Sequence, residues 1–139
     1  MDLQSQSIVV SSETDKVYVR HDPKLADILD FILGQAKRLV GAKNGAFYLI
    51  NENGRLVKYG KTEQGSTTDL ISKHIFKNRK NLLLKKGSTI KEKNITITES
   101  YIACFLGQET GILDLGVFLL EGINHFDNFS TQDFELISY

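Results

Sequence analysis

Few residues in this chain have chemistry to offer. Cys104 is the single cysteine. It lies inside the apolar run Tyr101 to Leu106 with no adjacent base to withdraw its proton, so it reads as a small buried hydrophobe rather than a nucleophile. His21, His74 and His125 are too far apart to form a metal-ligand spacing, and neither a metal nor a cofactor is expected. His74 falls in a helical pattern with Leu70, Ile71 and Ile75. It reads as a hydrogen-bonded core histidine, with a ligand contact as the sharper alternative. Asp114 interrupts the apolar run Ile112 to Leu120, and a buried carboxylate needs partners. It either receives a ligand's donor or sits at a frayed strand end. On strict alternation Asp114 shares a face with Ile112, Gly116 and Phe118. In the preceding strand Tyr101, Ala103 and Phe105 share one face, and Ile102, Cys104 and Leu106 the other. Between Lys77 and Lys93 stand seven basic residues and one acid, Glu92. Such a run could draw an anion such as a nucleotide phosphate, but it follows no single helical stripe and a solvated loop face is the plainer reading.

The stretch "NHFDNFSTQDF", Asn124 to Phe134, has a complete local explanation. Ser130 is a good N-cap and Asp133 stands at the third helical position, a variant of the capping box. Phe129 before the cap and Phe134 at the fourth position have the spacing of a hydrophobic staple.

These residues need elements to position them. The chain has 139 residues, enough for one domain with a real core. It is 41% hydrophobic and 24% charged, the balance of a globular domain. Lys and Arg number 17 and so do Asp and Glu, which argues against a dedicated nucleic-acid binder. No apolar run suits a membrane span, no secretory signal is visible, and one cysteine permits no internal disulfide; the expected compartment is the cytoplasm.

Residues 1–20 read as a leader or linker, loose and Ser-rich to residue 15 and with a short extended piece near Val17, and residues 21–139 as a single domain. Asp22 and Pro23 open a helix whose apolar face is Leu25, Ile28, Leu29, Ile32, Ala36 and Leu39, with Gly41 as its stop. Phe31 and Leu33 widen that face, and a helix that wide either lies deep in the protein or touches a second partner. Ala46 to Ile50 and Leu56 to Tyr59 read as a hairpin about the two-residue turn Asn53-Gly54. Ser66 to Asp69 start a second helix with inner residues Leu70, Ile71, His74 and Ile75. Asn81 to Leu84 read as a short strand, and residues 88–99 as a loop with a brief strand. Tyr101 to Leu106 and Ile112 to Leu120 are strong strands, the second apolar enough to be covered on both faces. A last helix starts at Ser130 and looks cut off at Tyr139. The simplest packing is an α+β, sandwich-like antiparallel sheet with helices on both faces.

The opening helix, then "VGAKNGAFYLINENGRLVKYG", "SYIACFLGQETGILDLGVFLLEG" and "FSTQDFELISY" follow in an order and spacing that resemble a GAF domain, over roughly residues 22–139. That family is the small sensory module of phosphodiesterases, cyclases, sensor kinases and transcription activators. The resemblance implies a profilin- or PAS-like antiparallel sheet of about five to six strands, terminal helices on one face and a helix- and loop-covered pocket on the other. It also implies dimerisation through the terminal helices, here through Leu25, Ile28, Phe31 and Ile32, and a ligand set of His74, Tyr101, Phe105, Asp114 and Phe118.

Cyclic-nucleotide-binding members close with Asn-Lys, then Phe, three residues, then Asp-Glu. Here Asn124, Phe129 and Asp133 match, while His125 replaces the Lys and Phe134 the Glu. In the family that Lys pairs with the Asp. His125 could replace it only when protonated, and an unperturbed histidine is mostly neutral at pH 7. The bilin-binding subtype needs a cysteine commonly followed by His, whereas Phe105 follows Cys104. The methionine-sulfoxide-reducing subtype exchanges thiols between cysteines, and there is one.

The expected function is therefore a non-catalytic sensory domain. It would bind a small molecule, with a cyclic nucleotide as one candidate, or pair with a second copy, and so control an attached output domain. The alternatives are a ligand-free structural dimerisation module and, least favoured, a thiol enzyme acting through Cys104.

Overall fold

A computed structural model describes residues 8–10, 17–19, 23–61, 66–90, 95–107 and 114–138. Two short strands come first, β1 (Ile8–Val10) and β2 (Val17–Val19), paired antiparallel. Part of the segment read as a loose leader therefore forms a hairpin. Helix α1 (Pro23–Val40) starts on the proline, while its expected cap, Asp22, lies outside the described residues. Gly41 ends it at φ 71°, a left-handed conformation that glycine adopts without a side-chain penalty.

Strand β3 (Ala42–Ile50) and strand β4 (Leu56–Lys61) form the expected hairpin, but the turn is longer than Asn53-Gly54 alone. Ile50 pairs with Leu56, so residues 51–55 make the connection. Asn51 organises it: its Oδ1 accepts from the backbone N–H of Asn53 and of Arg55, each at 3.0 Å. An Asx side chain that satisfies two backbone donors can hold a wider loop than a two-residue turn.

Helix α2 (Ser66–Asn78) follows, then β5 (Leu82–Leu84), the small hairpin β6 (Thr89–Ile90) with β7 (Ile95–Thr96), β8 (Tyr101–Gly107), β9 (Asp114–Ile123) and helix α3 (Thr131–Ser138). The main sheet has five strands in the order β4-β3-β9-β8-β5, and every neighbouring pair is antiparallel. Strand β9 lies at its centre, and its residues 116–123 are all buried, as the apolar stretch up to Leu120 leads one to expect, with Glu121 buried beyond it.

The sheet separates two cores. On one face α1 and α3 cover Phe47, Leu49, Ile102, Cys104, Phe118 and Leu120. On the other, α2 and the β6–β7 hairpin cover Ala46, Tyr48, Tyr101, Ala103, Val117 and Leu119. The buried stripe of α1 is Leu25, Leu29, Leu33 and Val40, with Ala36 packed against the same core. This corrects the expected face. Leu33 points inward, and Ile32 and Leu39, expected inside, are 45% and 59% exposed. At about 100° per residue, positions 25, 29, 33, 36 and 40 fall within one arc of about 80°, while 28, 32 and 39 lie to the other side of Leu25, and the sheet takes the first arc.

Between β8 and β9 the register shifts: Leu106 pairs with Gly116, but Gly107 pairs with Asp114. Leu115 is thus the extra residue of a β-bulge. It packs in the α1/α3 core beside its neighbour's side of the strand, and Asp114 turns to the α2 face. Gly116 makes this possible. Its φ is 151°, and a Cβ there would lie 1.9 Å from the Tyr48 carbonyl oxygen on β3.

Candidate functional site

The α2 face carries the buried polar groups. The Tyr48 hydroxyl donates to Asp69 Oδ1 at 2.7 Å, and its oxygen lies 3.2 Å from Thr68 Oγ1. Both partners sit in the first turn of α2, so this tyrosine ties the helix start to the central sheet. Tyr101 donates its hydroxyl to the Glu121 carboxylate directly across from it on β9. Burial pushes the Tyr101 phenol well above its ordinary range, reinforced by the bond to Glu121 and the negative charges of Glu121 and Glu99. It remains a neutral donor at physiological pH. Ser100 Oγ links two loops, donating to Leu84 O at 2.9 Å and accepting from the Phe129 N–H at 3.1 Å.

The residues expected to form one ligand set are divided by the sheet. Tyr101 and Phe105 face α2, and Asp114 joins them there through the bulge. Phe118 lies on the opposite face, its ring 4.8 Å from that of Phe47 in the α1/α3 core. Asp114 and Phe118 therefore do not share a face, because one inserted residue inverts the alternation. His74 is half-buried, and its Nδ1 lies 3.2 Å from Asn78 Nδ2.

Asp114 Oδ2 accepts from Arg79 Nη1, while Oδ1 is enclosed with no hydrogen-bond partner among the described residues. Arg79 stands just past the end of α2 at φ 57°, the position a glycine usually takes, with its N–H donating to Ile75 O at 2.8 Å. Its guanidinium lies 4.9 Å above the Phe105 ring, and Phe105 packs on Phe76 with ring centroids 5.9 Å apart. The ion pair and the stacking hold Arg79 in a conformation that costs a non-glycine residue about 1 kcal/mol.

Of the motif residues, Asn124 and His125 are exposed. The Asn124 N–H donates to Gly41 O at 2.8 Å, and His125 has φ 70°. Phe129 is buried in the α1/α3 core, with Phe134 packed against the same core. Ser130 and Asp133 form the reciprocal capping box: Asp133 N–H donates to Ser130 Oγ and Ser130 N–H to Asp133 Oδ2, each at 3.0 Å. Asp133 is thus engaged at the start of α3.

Of the expected dimer residues, Leu25 is part of the core and cannot meet a partner. Ile28 is half-buried, whereas Phe31 is 67% exposed. Phe31, Ile32 and Leu39 on α1 and Leu136 on α3 are large apolar side chains exposed on the terminal helices. Cys104 is buried beneath these helices, and burial pushes its thiol up to about 12. It is protonated near neutral pH, the state of an inert core cysteine.

On the opposite side lies a cleft of about 520 Å³, between the β3–β4 turn and α2. Gly54, Arg55, Leu56, Lys73, Phe76 and Lys77 line it. Only Lys77 belonged to the basic run that stood out in the sequence. Lys73 could have been found from its spacing, one helical turn before Lys77. Arg55 could not, because only the hairpin turn brings it to the helix. Among the described residues no helix is long and apolar enough to cross a membrane. No family model matches the chain, and no characterised protein matches it either.

Proposed function

We propose that this chain is a non-catalytic sensory module of the GAF type, which pairs with a second copy through its terminal helices and relays ligand occupancy to an attached output domain. The observation that carries this reading is the sidedness of the molecule. Phe31, Ile32, Leu39 and Leu136 present apolar surface on the α1/α3 side, and the cleft opens on the α2 side. Large apolar side chains exposed on the same helix layer are the raw material of an association surface. A ligand on the far side would act by binding one arrangement of the helices better than another, which shifts the population without any chemical step. The five-stranded antiparallel sheet between the two sides is the arrangement that the sequence resemblance implies.

Sedimentation of the chain at rising concentration tests the pairing. A dimer that becomes monomeric in Phe31→Lys supports it, and a monomer at the highest attainable concentration removes it. Calorimetric titration with cyclic AMP and cyclic GMP tests the nucleotide version, and absence of heat at millimolar ligand would sink that version alone.

A second reading has its own support. The space between sheet and α2, where the family holds its ligand, is packed by Ile71, Ile75, Ile90 and Ile97. That favours a structural dimerisation module with no ligand inside the fold. A dimer that ignores every small molecule tested would favour this reading over the first.

A further inference from the structure

We propose that the cleft between the β3–β4 turn and helix α2 binds a small organic anion that carries a flat apolar group. The site lies outside the packed interior between sheet and helix. The inference rests on the sensory reading for the ligand's purpose, but not for its place or chemistry.

Charge is the first argument. Arg55, Lys73 and Lys77 converge on one concavity, and no acid is among the lining residues. Arg79 is paired with Asp114, and Lys43 lies 3.7 Å from Glu99; the cleft is where three of the remaining described cations meet. The three cleft cations have no ion-pair partner among the described residues. Lys77, in the last turn of α2, also complements the helix dipole. That accounts neither for Lys73, one turn earlier, nor for Arg55, on a different element. Like charges gathered at a concave, partly apolar wall concentrate positive potential, and an anion relieves their repulsion.

Shape and lining are the second argument. The cleft is about 520 Å³, within the range of roughly 300–1,000 Å³ that holds small molecules and far more than a bare ion fills. Phe76 and Leu56 supply its apolar wall. Phe76 is half-buried and held from behind by Phe105, which lies under Arg79. Arg55 is steadied at its backbone, its N–H bonded to Asn51 Oδ1 and its carbonyl accepting from the Asn51 N–H at 2.8 Å. A steadied arginine can present its planar fork to two oxygens of a phosphate or carboxylate while the rest of the ligand lies on the phenyl ring.

The test is a nuclear magnetic resonance titration of the isotope-labelled chain with three probes: phenyl phosphate, inorganic phosphate and phenol. The expected result is saturable shifts at the amides of Gly54, Arg55, Lys73, Phe76 and Lys77 with phenyl phosphate, about tenfold tighter than with either other probe. Affinity should fall as salt is raised, because exposed charges are screened. Lys73→Glu with Lys77→Glu should abolish the shifts and leave the far-ultraviolet circular dichroism unchanged. If that pair unfolds the chain, Arg55→Gln in the exposed turn should still weaken binding about tenfold. Equal binding of inorganic phosphate overturns the ring contact and with it the proposal. Equal binding of phenol overturns the charge contact and the proposal likewise. Absence of saturable shifts at the cleft overturns it outright. A dimer without cleft binding would overturn this inference and leave the pairing of the sensory reading standing, and cleft binding to a lasting monomer would remove the pairing and leave the inference.

Discussion

The two faces of the sheet are built from the same strands and differ in kind. The α1/α3 core is made of apolar contacts around Phe47, Phe118, Leu120 and Phe129. The α2 face mixes apolar packing with buried polar pairs, Tyr48 with Asp69 and Tyr101 with Glu121. Apolar packing is non-directional, so the terminal helices can be tight on the sheet and still offer Phe31 and Leu39 outward. Hydrogen bonds are directional, and the pair at Tyr48 fixes where α2 begins. On the proposed reading, the first face associates with a partner and the second holds the cleft.

The most severe way to break this division is Gly116→Ala. A Cβ there meets the Tyr48 carbonyl at 1.9 Å on the central strand pair, and neither backbone can yield without disturbing both faces. The expected loss is about 4 kcal/mol or more, or failure to accumulate folded protein, read by urea unfolding.

Tyr101→Phe should damage the α2 face alone. It removes the donor to the buried Glu121 carboxylate and should lower stability by about 2 kcal/mol. The same residue sets a pH dependence. Its folded pKa lies above the unfolded value of 10.0, so folding favours the neutral phenol. The stability this brings is complete below pH 10 and is lost as pH rises further. Cys104 acts in the same sense on the other face, its contribution complete below about pH 9 and lost towards about 12. Alkaline unfolding should therefore begin near pH 9, with the steeper loss above pH 10 absent from Tyr101→Phe.

Ser130→Ala sharpens the comparison at lower cost. It removes one half of the α3 capping box and should destabilise by about 1 kcal/mol, with no effect on amide signals along α2. The smallest effect is expected from His125→Lys. If a vestigial ion pair with Asp133 mattered, the lysine would raise the unfolding midpoint. Because Asp133 is engaged with the Ser130 N–H, the midpoint should not move.

Much of this was legible in the sequence because local rules are short-ranged. The cap at Ser130 and Asp133 spans one helical turn, and its residues satisfy each other wherever the helix docks. The strands β3, β8 and β9 announced themselves by composition, and the apolar stretch of β9 up to Leu120 anticipated its burial on both faces. The inner face of α1 was less legible. With apolar residues at 25, 28, 29, 31, 32, 33, 36, 39 and 40, several stripes are available, and only docking on the sheet selected Leu33 over Ile32.

By itself the sequence determined the kinds and order of the elements of the main sheet and of its covering helices, the start of α3 and the passive character of Cys104, because each follows from neighbours within a turn or a strand. The tertiary structure alone decided which residues share a face near Asp114, since a bulge depends on how the partner strand pairs and not on the alternation of the bulged strand. It alone joined Arg79 to Asp114 across 35 positions and brought Arg55 to Lys73 and Lys77. Contacts between elements far apart in the chain leave no period in the sequence, and the candidate site consists of such contacts.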